Sequence, residues 1–296
     1  MTLEQLRIFI AVAEQQHMTR AASGLHLTQS ATSAAIAALE ARHRVKLFDR
    51  VGRGITLTQA GRDFLGEARA VLARARAAAQ ALDDIAGLKR GALSLAASQT
   101  VGNYWLPQRL LRFQQRYPGI ALQLTIANTE QVAATVRDGR ADLGLVEGEV
   151  DEPLLSATPI GSDDLVIVVA RDHPWRSLQR LPPVKLTTTG WVVRERGSGT
   201  RAMFEAALRR SGLALSDLDV RLELPSNEAI RAAVESSDCA TAISALVAAP
   251  SLAAGTLHIV GFDLPHRTFH LLRHRQHSES RAENALLAEL SETSPS

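Results

Sequence analysis

The sequence predicts three parts in order: a small, mainly helical head that ends in a β-hairpin, one long helix, and a two-lobed α/β clamp. Three observations predict it. Residues 1–58 carry three short helix patterns, then two β-prone pieces around a Gly-rich basic turn. Residues 59–87 repeat apolar and small residues at heptad spacing. From Ala92 onward strand and helix patterns alternate, the rhythm of a mostly parallel sheet covered on both faces.

In the head, Leu3, Leu6, Ile8, Phe9, Ile10, Val12 and Ala13 fit a helix with a wide buried stripe. A second helix is expected after Thr19 as N-cap, running through Ala21, Ala22 and Leu25. A third runs from Gln29 to about Arg42. Thr32, Ala35, Ile36 and Leu39 can face its core side, which leaves Gln29, Ser30, Ser33, Ala34 and Ala37 on another face. Val45–Thr58 reads as a hairpin whose turn carries Arg50 and Arg53. Three helices and a hairpin make a winged helix-turn-helix.

Thr58 is placed to cap the long helix from Gln59. At 1.5 Å per residue that helix is about 43 Å long. Its stripe Leu65, Leu72, Ala79 and Ile85 either packs on its own domain or meets a second copy of the chain, and because the helix lies between two otherwise complete domains a second copy is the expected partner.

In the clamp, strands are expected at Ala92–Ala97, Ala121–Ala127, Asp142–Val146, Leu154–Ile160, Asp164–Arg171, Trp191–Arg194, Asp219–Leu224, Cys239–Ile243 and Arg267–Arg273. Helices are expected near 102–117, 129–138, 200–211, 227–236 and 279–291, with a frayed tail at 291–296. Two lobes joined by two crossings form a hinge clamp. The expected boundaries are 1–58 for the head, 59–87 for the linker and dimerisation helix, and 88–296 for the effector-binding domain. Within the last, lobe I takes about 91–162 and 265–296, and lobe II about 163–264.

At 296 residues the chain is long enough for two or more domains. The single cysteine, Cys239, excludes an intrachain disulfide framework and any multi-cysteine metal site. Net charge is +2 overall, but residues 1–91 carry +5 and the remainder −3, a weak footprint of polyanion binding in the front half. The N-terminus reads as neither a leader nor an anchor, and no apolar run approaches the roughly 18–20 residues of a membrane span, so a cytoplasmic protein is expected.

With these elements placed, residues 1–65 resemble the LysR-type transcriptional regulators. The matching text is Leu6-Arg7-x-Phe9, Ala11-Val12-Ala13-Glu14, Thr19-Arg20-Ala21-Ala22, Leu25-His26-Leu27-Thr28-Gln29-Ser30-Ala31, Ser33, Ile36, Leu39-Glu40, Leu47-Phe48-Asp49-Arg50, Arg53 and Leu57-Thr58-x-Ala60-Gly61, without a gap. The heptad helix and the α/β half look like the same family. The resemblance implies a bacterial source, double-stranded DNA as partner, a homodimer or homotetramer, contact with RNA polymerase, and a sensor shaped like a periplasmic binding protein. Ala97–Tyr104 and Arg194–Arg201 resemble members tied to sulfur assimilation and carbon fixation, which implies a sulfate- or sulfite-like effector. This chain departs from the family at Ala34, Ala37 and Ala38, where many members carry Arg or Gln. Base reading is then expected to lean on Gln29, Ser30 and Ser33.

The expected DNA-contacting set is Thr19, Arg20, Thr28, Gln29, Ser30, Thr32, Ser33, Arg50 and Arg53. A helix entering the major groove points its first residues at base edges, where the Gln29 amide can pair with adenine. The arginines have the charge to neutralise phosphates or to enter the minor groove.

The expected effector set comes from helix starts that follow strands: Ser98, Gln99 and Thr100; Thr129; Ser198, Gly199, Thr200 and Arg201; and Ser226. Hydroxyls and free N–H groups at helix N-termini suit a small anion, and the carboxyl ends of parallel strands are where such folds bind ligands. Any one of these residues taken alone is more simply an N-cap. Glu147, at another strand end, fits an anion poorly, and either pairs with Arg201 or receives a donor group of the ligand. The histidines at 266, 270, 274 and 277 do not converge on a strand, Cys239 reads as a small buried residue, and no metal or cofactor is expected. The alternative is a two-lobed transport receptor without a DNA role, which the basic head opposes. An enzyme lacks any nucleophile–base or metal constellation.

Overall fold

A computed structural model of the chain describes residues 1–51, 54–85, 91–276 and 279–291. Arg53, Ala86, Gly87, His277 and the tail beyond Ser291 lie outside them, as does the Ile85 side chain. The chain divides into two compact units, Met1–Ile85 with Asp138–Arg140, and Ala86–Arg137 with Ala141–Ser296.

The first unit opens with α1 (Leu3–Gln15), which Thr2 caps through a reciprocal box with Gln5. Then come α2 (Met18–Gly24), α3 (Gln29–His43), the antiparallel pair β1 (Phe48–Val51) and β2 (Gly54–Leu57), and α4 (Gln59–Ile85). The cap of α2 is the His17 imidazole, not Thr19, because His17 Nδ1 already accepts from Arg20 N. Thr28 caps α3 through Ala31 N, and Thr58 caps α4 through Gly61 N at 2.9 Å. Leu6, Phe9, Val12, Ile36 and Leu39 form one core with Leu47 of the loop before the hairpin and Ala68 of the long helix. Phe9 stands at its centre, with its ring 5.4 Å from that of Phe48 and 5.1 Å from that of Phe64.

The second unit contains β3 (Gly91–Ser98), α5 (Pro107–Arg116), β4 (Ile120–Ala127), α6 (Thr129–Arg137), β5 (Leu143–Glu147) and β6 (Leu155–Ala170). It continues with β7 (Gly190–Arg194), α7 (Gly199–Arg210), β8 (Asp219–Leu224), α8 (Asn227–Glu235), β9 (Cys239–Ser244), α9 (Ala245–Ala253), β10 (Leu257–Val260), β11 (His266–His274) and α10 (Arg281–Ser291). One path of paired strands, β4-β3-β5-β11-β6-β9-β7-β8, runs through both lobes, and β10 joins at β6. Pairing is parallel among β3, β4 and β5 and among β7, β8 and β9, whereas β6 and β11 run antiparallel to their neighbours.

Two strands were expected between Leu154 and Arg171; there is one. β6 keeps its extended backbone through the small and polar stretch at 161–163 and changes partners instead. Residues up to Asp164 pair with β11, and residues from Leu165 pair with β9. Gly161 makes no turn here. A Cβ on it would stand 2.8 Å from the Trp105 ring, so it is glycine because the indole lies against the strand. The expected helix at 102–117 is broken into a π-helical turn, Val101–Trp105, and α5, which starts at Pro107. Helix α9 and strand β10 escaped the sequence reading, since Pro250 inside α9 reads as a breaker.

Each lobe has its own core. In lobe I, Leu93, Leu95, Phe113, Leu145, Phe269 and Leu286 pack together, and in lobe II Ile167, Trp175, Trp191, Phe204 and Leu208 do so. Strand crossings, polar contacts and a few apolar side chains join the lobes, among the last Leu246 of α9 on the lobe I core and Tyr104 on a lobe II core.

Candidate functional site: an exposed helix face and a buried interlobe cluster

The head presents its candidate residues outward. Thr19, Arg20, Thr28, Gln29, Ser30 and Arg50 are exposed, and Ser33 is half-buried. Thr28 Oγ1 accepts from Ala31 N and shares a hydrogen bond of 3.1 Å with Ser30 Oγ. The cap therefore holds Gln29 and Ser30 in the first turn of α3, where an entering helix meets base edges. Thr32 does not belong to this face. It is fully buried, and its hydroxyl donates back to Thr28 O at 3.1 Å, so it fastens the first turn of α3 from the core side. Glu40 ties the far end of α3 to the wing. Its carboxylate accepts from Leu47 N at 2.8 Å, Phe48 N at 3.2 Å and Lys46 Nζ at 2.6 Å. Burial pushes this carboxyl up, but the Lys46 ammonium and the two backbone N–H groups outweigh burial and hold it below the usual carboxylate range.

The effector candidates lie where the lobes meet, and most are buried. Ser98, Thr100, Glu147, Ser198 and Thr200 are each at most 2% exposed, and Gly199 is buried with them. Ser98 of β3 donates its hydroxyl proton to Glu147 Oε2 at the end of β5. Thr200, in the first turn of α7, donates to Glu147 Oε1 from the other lobe at 3.4 Å. Thr200 Oγ1 in turn accepts from Arg267 Nη1 at 3.0 Å. Arg267 is 1% exposed and binds Asp163 of β6 through Nε and Nη2, and Ser244 Oγ donates to the same carboxylate at 2.5 Å. An unbroken hydrogen-bonded chain thus runs from lobe I through the crossing strands into lobe II.

A second polar bridge lies beside it. Asn227, fully buried at the start of α8, donates from Nδ2 to Thr100 Oγ1 at 3.2 Å and accepts from Arg194 Nη1 at 2.6 Å. Gln99 Oε1 accepts from Asn227 N at 3.0 Å, and Gln99 Nε2 donates to Pro225 O. Tyr104 donates to Glu228 at 2.9 Å, and burial together with that carboxylate pushes the phenol up to about 12. Burial pushes Glu195 up, but paired Arg194 prevails and leaves its carboxyl below the usual range.

The helix starts differ in how their hydroxyls are used. Ser226 is an ordinary N-cap, accepting from Ala229 N at 3.2 Å. Ser198 precedes α7 without capping it, and its Oγ has no hydrogen-bond partner although the residue is 2% exposed. Thr129 Oγ1 accepts from Gly199 N at 3.1 Å across the lobe boundary. A Cβ on Gly199 would stand 2.6 Å from the backbone oxygen of Glu147, so only glycine lets α7 approach β5 this closely. Glu147 does not pair with Arg201. That arginine turns to Glu205 at 2.8 Å and to Glu223, because Glu147 is closed in by hydroxyls while the two other carboxylates lie beside the guanidinium.

Beside this cluster a cavity of about 770 Å³ is lined by Thr129, Glu130, Arg196, Ser198, Gly199 and Arg201 among others. Its lining carries five carboxylates, Glu130, Glu149, Asp151, Glu152 and Glu205, against Arg137, Arg196 and Arg201.

The sequence reading missed Arg267, Asp163 and Ser244. One signal was available: Arg267 alternates with Phe269 and Leu271, so period-two alternation puts a charge on the apolar face of β11. Of the histidines at 266, 270, 274 and 277, His266 bonds to Asp164 at 2.7 Å and His270 to Gly148 O at 2.9 Å, while His277 lies outside the described residues. Among the described residues no group of three or more potential ligands gathers for a metal, and no helix is long and apolar enough to cross a membrane.

Residues 3–62 match the family model for the bacterial regulatory helix-turn-helix protein, lysR family, and residues 86–295 match the LysR substrate binding domain. The chain belongs to the LysR family of transcriptional regulators. A relative in Nostoc sp. (strain PCC 7120), named as a probable RuBisCO transcriptional regulator, is 33% identical over 294 residues, covering 98% of this chain and 87% of its own. A full-length OxyR from Pseudomonas aeruginosa shares the fold over 99% of this chain and 96% of that one, with a TM-score of 0.73 at 22% identity. The regulatory domain of Synechocystis PCC6803 CcmR, solved in complex with 2-PG, is 30% identical, with a TM-score of 0.63 over 68% of this chain and 96% of that domain. As a LysR-family regulator the chain has a DNA-binding helix-turn-helix followed by an effector-binding α/β domain, which disfavours the transport-receptor alternative.

Proposed function

We propose that this LysR-family protein switches transcription when a small anionic metabolite binds between the lobes of its sensor. The observation that carries the reading is the interlobe cluster. Ser98 of one lobe and Thr200 of the other meet at Glu147 beside the N-terminus of α7, Ser198 precedes the same helix, and Thr100 meets Asn227 at the start of α8. A ligand touching both lobes stabilises their closed arrangement by its differential affinity and no more. A sulfate- or sulfite-like anion is the effector that the sequence resemblance favours, and the 2-PG complex of the CcmR regulatory domain supports a small ligand in a related domain.

On this reading Gln29, Ser30 and Ser33 read bases, while Thr19, Arg20, Thr28, Arg50 and Arg53 hold the backbone of double-stranded DNA. The working boundaries are 1–58, 59–87 and 88–296. Leu65 and Leu72 of the expected seam pack against the head's own core, whereas Val71, 40% exposed, and Leu82, 70% exposed, stay open along α4 and support pairing with a second copy. Assembly as a homotetramer in the cytoplasm belongs to the same reading. RNA polymerase is the further partner on this reading.

The test begins with a duplex selected from a random pool by the full chain. Its affinity is then measured by fluorescence anisotropy with sulfate, sulfite, phosphate or 2-PG at millimolar concentration. The expected result is sequence-selective binding that at least one anion changes by about fivefold or more, the lower end of typical coupling. Sequence-selective binding that none of them alters overturns the anion reading.

A further inference from the structure

We infer that the interlobe site selects an anion that brings its own hydrogen-bond donor, and that Glu147 is the residue that makes the selection. This rests on the interlobe reading above and narrows its effector class from small anions to protonated oxyanions or hydroxy-acids, which sets aside the fully ionised sulfate that the sequence resemblance favours.

Each serine or threonine hydroxyl has one proton to give. Ser98 and Thr200 give theirs to the two oxygens of Glu147. Thr200 has no second proton, and one of its two lone pairs already accepts from Arg267. An anion that engages these hydroxyls must take the protons from Glu147. The carboxylate, 2% exposed, then loses its donors in a place that water does not readily reach. A buried carboxylate without a donor is costly, more so with a second anion beside it. A ligand O–H pointed at Glu147 removes both problems, because it replaces the lost donor and lowers the charge the ligand brings. Sulfate has neither remedy, being fully ionised and an acceptor only.

The surroundings favour the same choice. Arg267, the buried cation of the cluster, is already matched by Asp163. The adjoining cavity carries five carboxylates against three arginines. A bare dianion therefore meets a negative setting, although the donors it needs are present. Ser198 Oγ is buried without a partner at the edge of that cavity. Thr200 N and Arg201 N, in the first turn of α7, have no acceptor among the described residues. These groups join the Ser98 and Thr200 hydroxyls in holding the ionised oxygens, and Glu147, which gives up those two donors, receives the protonated one. A site built to hydrogen-bond a ligand O–H rejects the analogue that lacks it far more strongly than an apolar pocket rejects a misfit.

The experiment is a calorimetric titration of the full chain, in a buffer free of competing oxyanions, with two matched pairs: phosphate against sulfate, and glycolate against acetate. The first pair puts the donor on the oxyanion and the second puts it on carbon, so the two sources separate. The expected result is at least a tenfold preference for the donor-bearing member of one pair. Glu147→Gln, whose amide can itself donate, should weaken that member and strengthen its partner, bringing the ratio within about threefold. Equal binding of both members in each pair by the wild-type chain overturns the selection while leaving the anion site standing, and this outcome does not depend on how any variant folds. A ratio unchanged in a Glu147→Gln protein that melts like wild type also overturns it. No binding of any of the four anions overturns the interlobe anion reading itself, and the selection with it.

Discussion

The two functional regions use their polar side chains in opposite ways. In the head the groups assigned to DNA stand in solvent, on one short stretch of chain, and are held in place mainly by backbone caps. In the sensor the groups assigned to the effector are buried and bonded to one another, and the chain from Ser98 to Ser244 draws on β3, β5, α7, β11, β6 and β9. A surface that meets a large, highly charged partner can leave its donors solvated until contact, because phosphate attraction does not require a preformed cavity. A site for a small ligand must exclude water and aim its donors beforehand, so each donor needs a neighbour that fixes it. The head should therefore tolerate substitution of its contact residues, the α3 cap Thr28 excepted, with little loss of stability, whereas the sensor should not.

The largest expected effect lies in the sensor. Arg267→Leu leaves Asp163 buried without its cation and should cost about 3–5 kcal/mol of sensor stability, measured by chemical denaturation. Adding Asp163→Leu should recover much of the loss. If Arg267→Leu alone unfolds at the wild-type midpoint, the crossing strands do not depend on this pair. Next is Gly199→Ala. Its new Cβ meets the backbone of β5, which cannot give way as a flexible side-chain tip can, so α7 must withdraw at a cost of about 1–3 kcal/mol. Unchanged stability and unchanged ligand affinity would show that the lobes need not approach this closely.

In the head, Gln29→Ala should cost about 1–3 kcal/mol of affinity at the selected duplex and little on unrelated DNA. Arg50→Ala should weaken all duplexes alike and reduce the slope of log K against log salt by about one. Both variants should melt like wild type. Reversed roles would mean that the wing reads sequence and the α3 helix holds the backbone.

The smallest effect is one of pH. Glu40 has a folded-state pKa below its unfolded value, so its contribution to the stability of the head is complete above the ordinary carboxylate range. That contribution fades as pH falls through the depressed folded value. Glu40→Gln should remove this part of the acid dependence while leaving the melting curve near neutral pH lower by about 1 kcal/mol or more, in line with the loss of charge-assisted hydrogen bonds. An acid limb identical to wild type would assign it to other carboxylates.

The same contrast explains what could be read from sequence. The head was legible because its function lies in contiguous text: caps, apolar spacing and exposed first-turn residues sit within one helix of each other. Thr32, expected among the contact residues, is a buried threonine on the core side of α3, and helical spacing with Ile36 and Leu39 already pointed inward. In the sensor, strand order and helix starts were legible, and so were Ser98, Thr100, Glu147, Ser198 and Thr200 as groups at strand ends. Their mutual bonds were not, because Glu147 is 49 residues from Ser98 and 53 from Thr200. Arg267 and Asp163, 104 residues apart, come together only because β6 and β11 pair through the crossing. Local periodicity has no access to such register.

The most direct test of the interlobe account is a paired measurement on the full chain carrying Thr100→Ala and Thr200→Ala. Calorimetric titration with whichever probe anion the wild-type chain binds should show the response abolished. Anisotropy with the selected duplex, without anion, should give the wild-type affinity. A double variant that binds the anion as wild type does would place the site elsewhere and contradict the account.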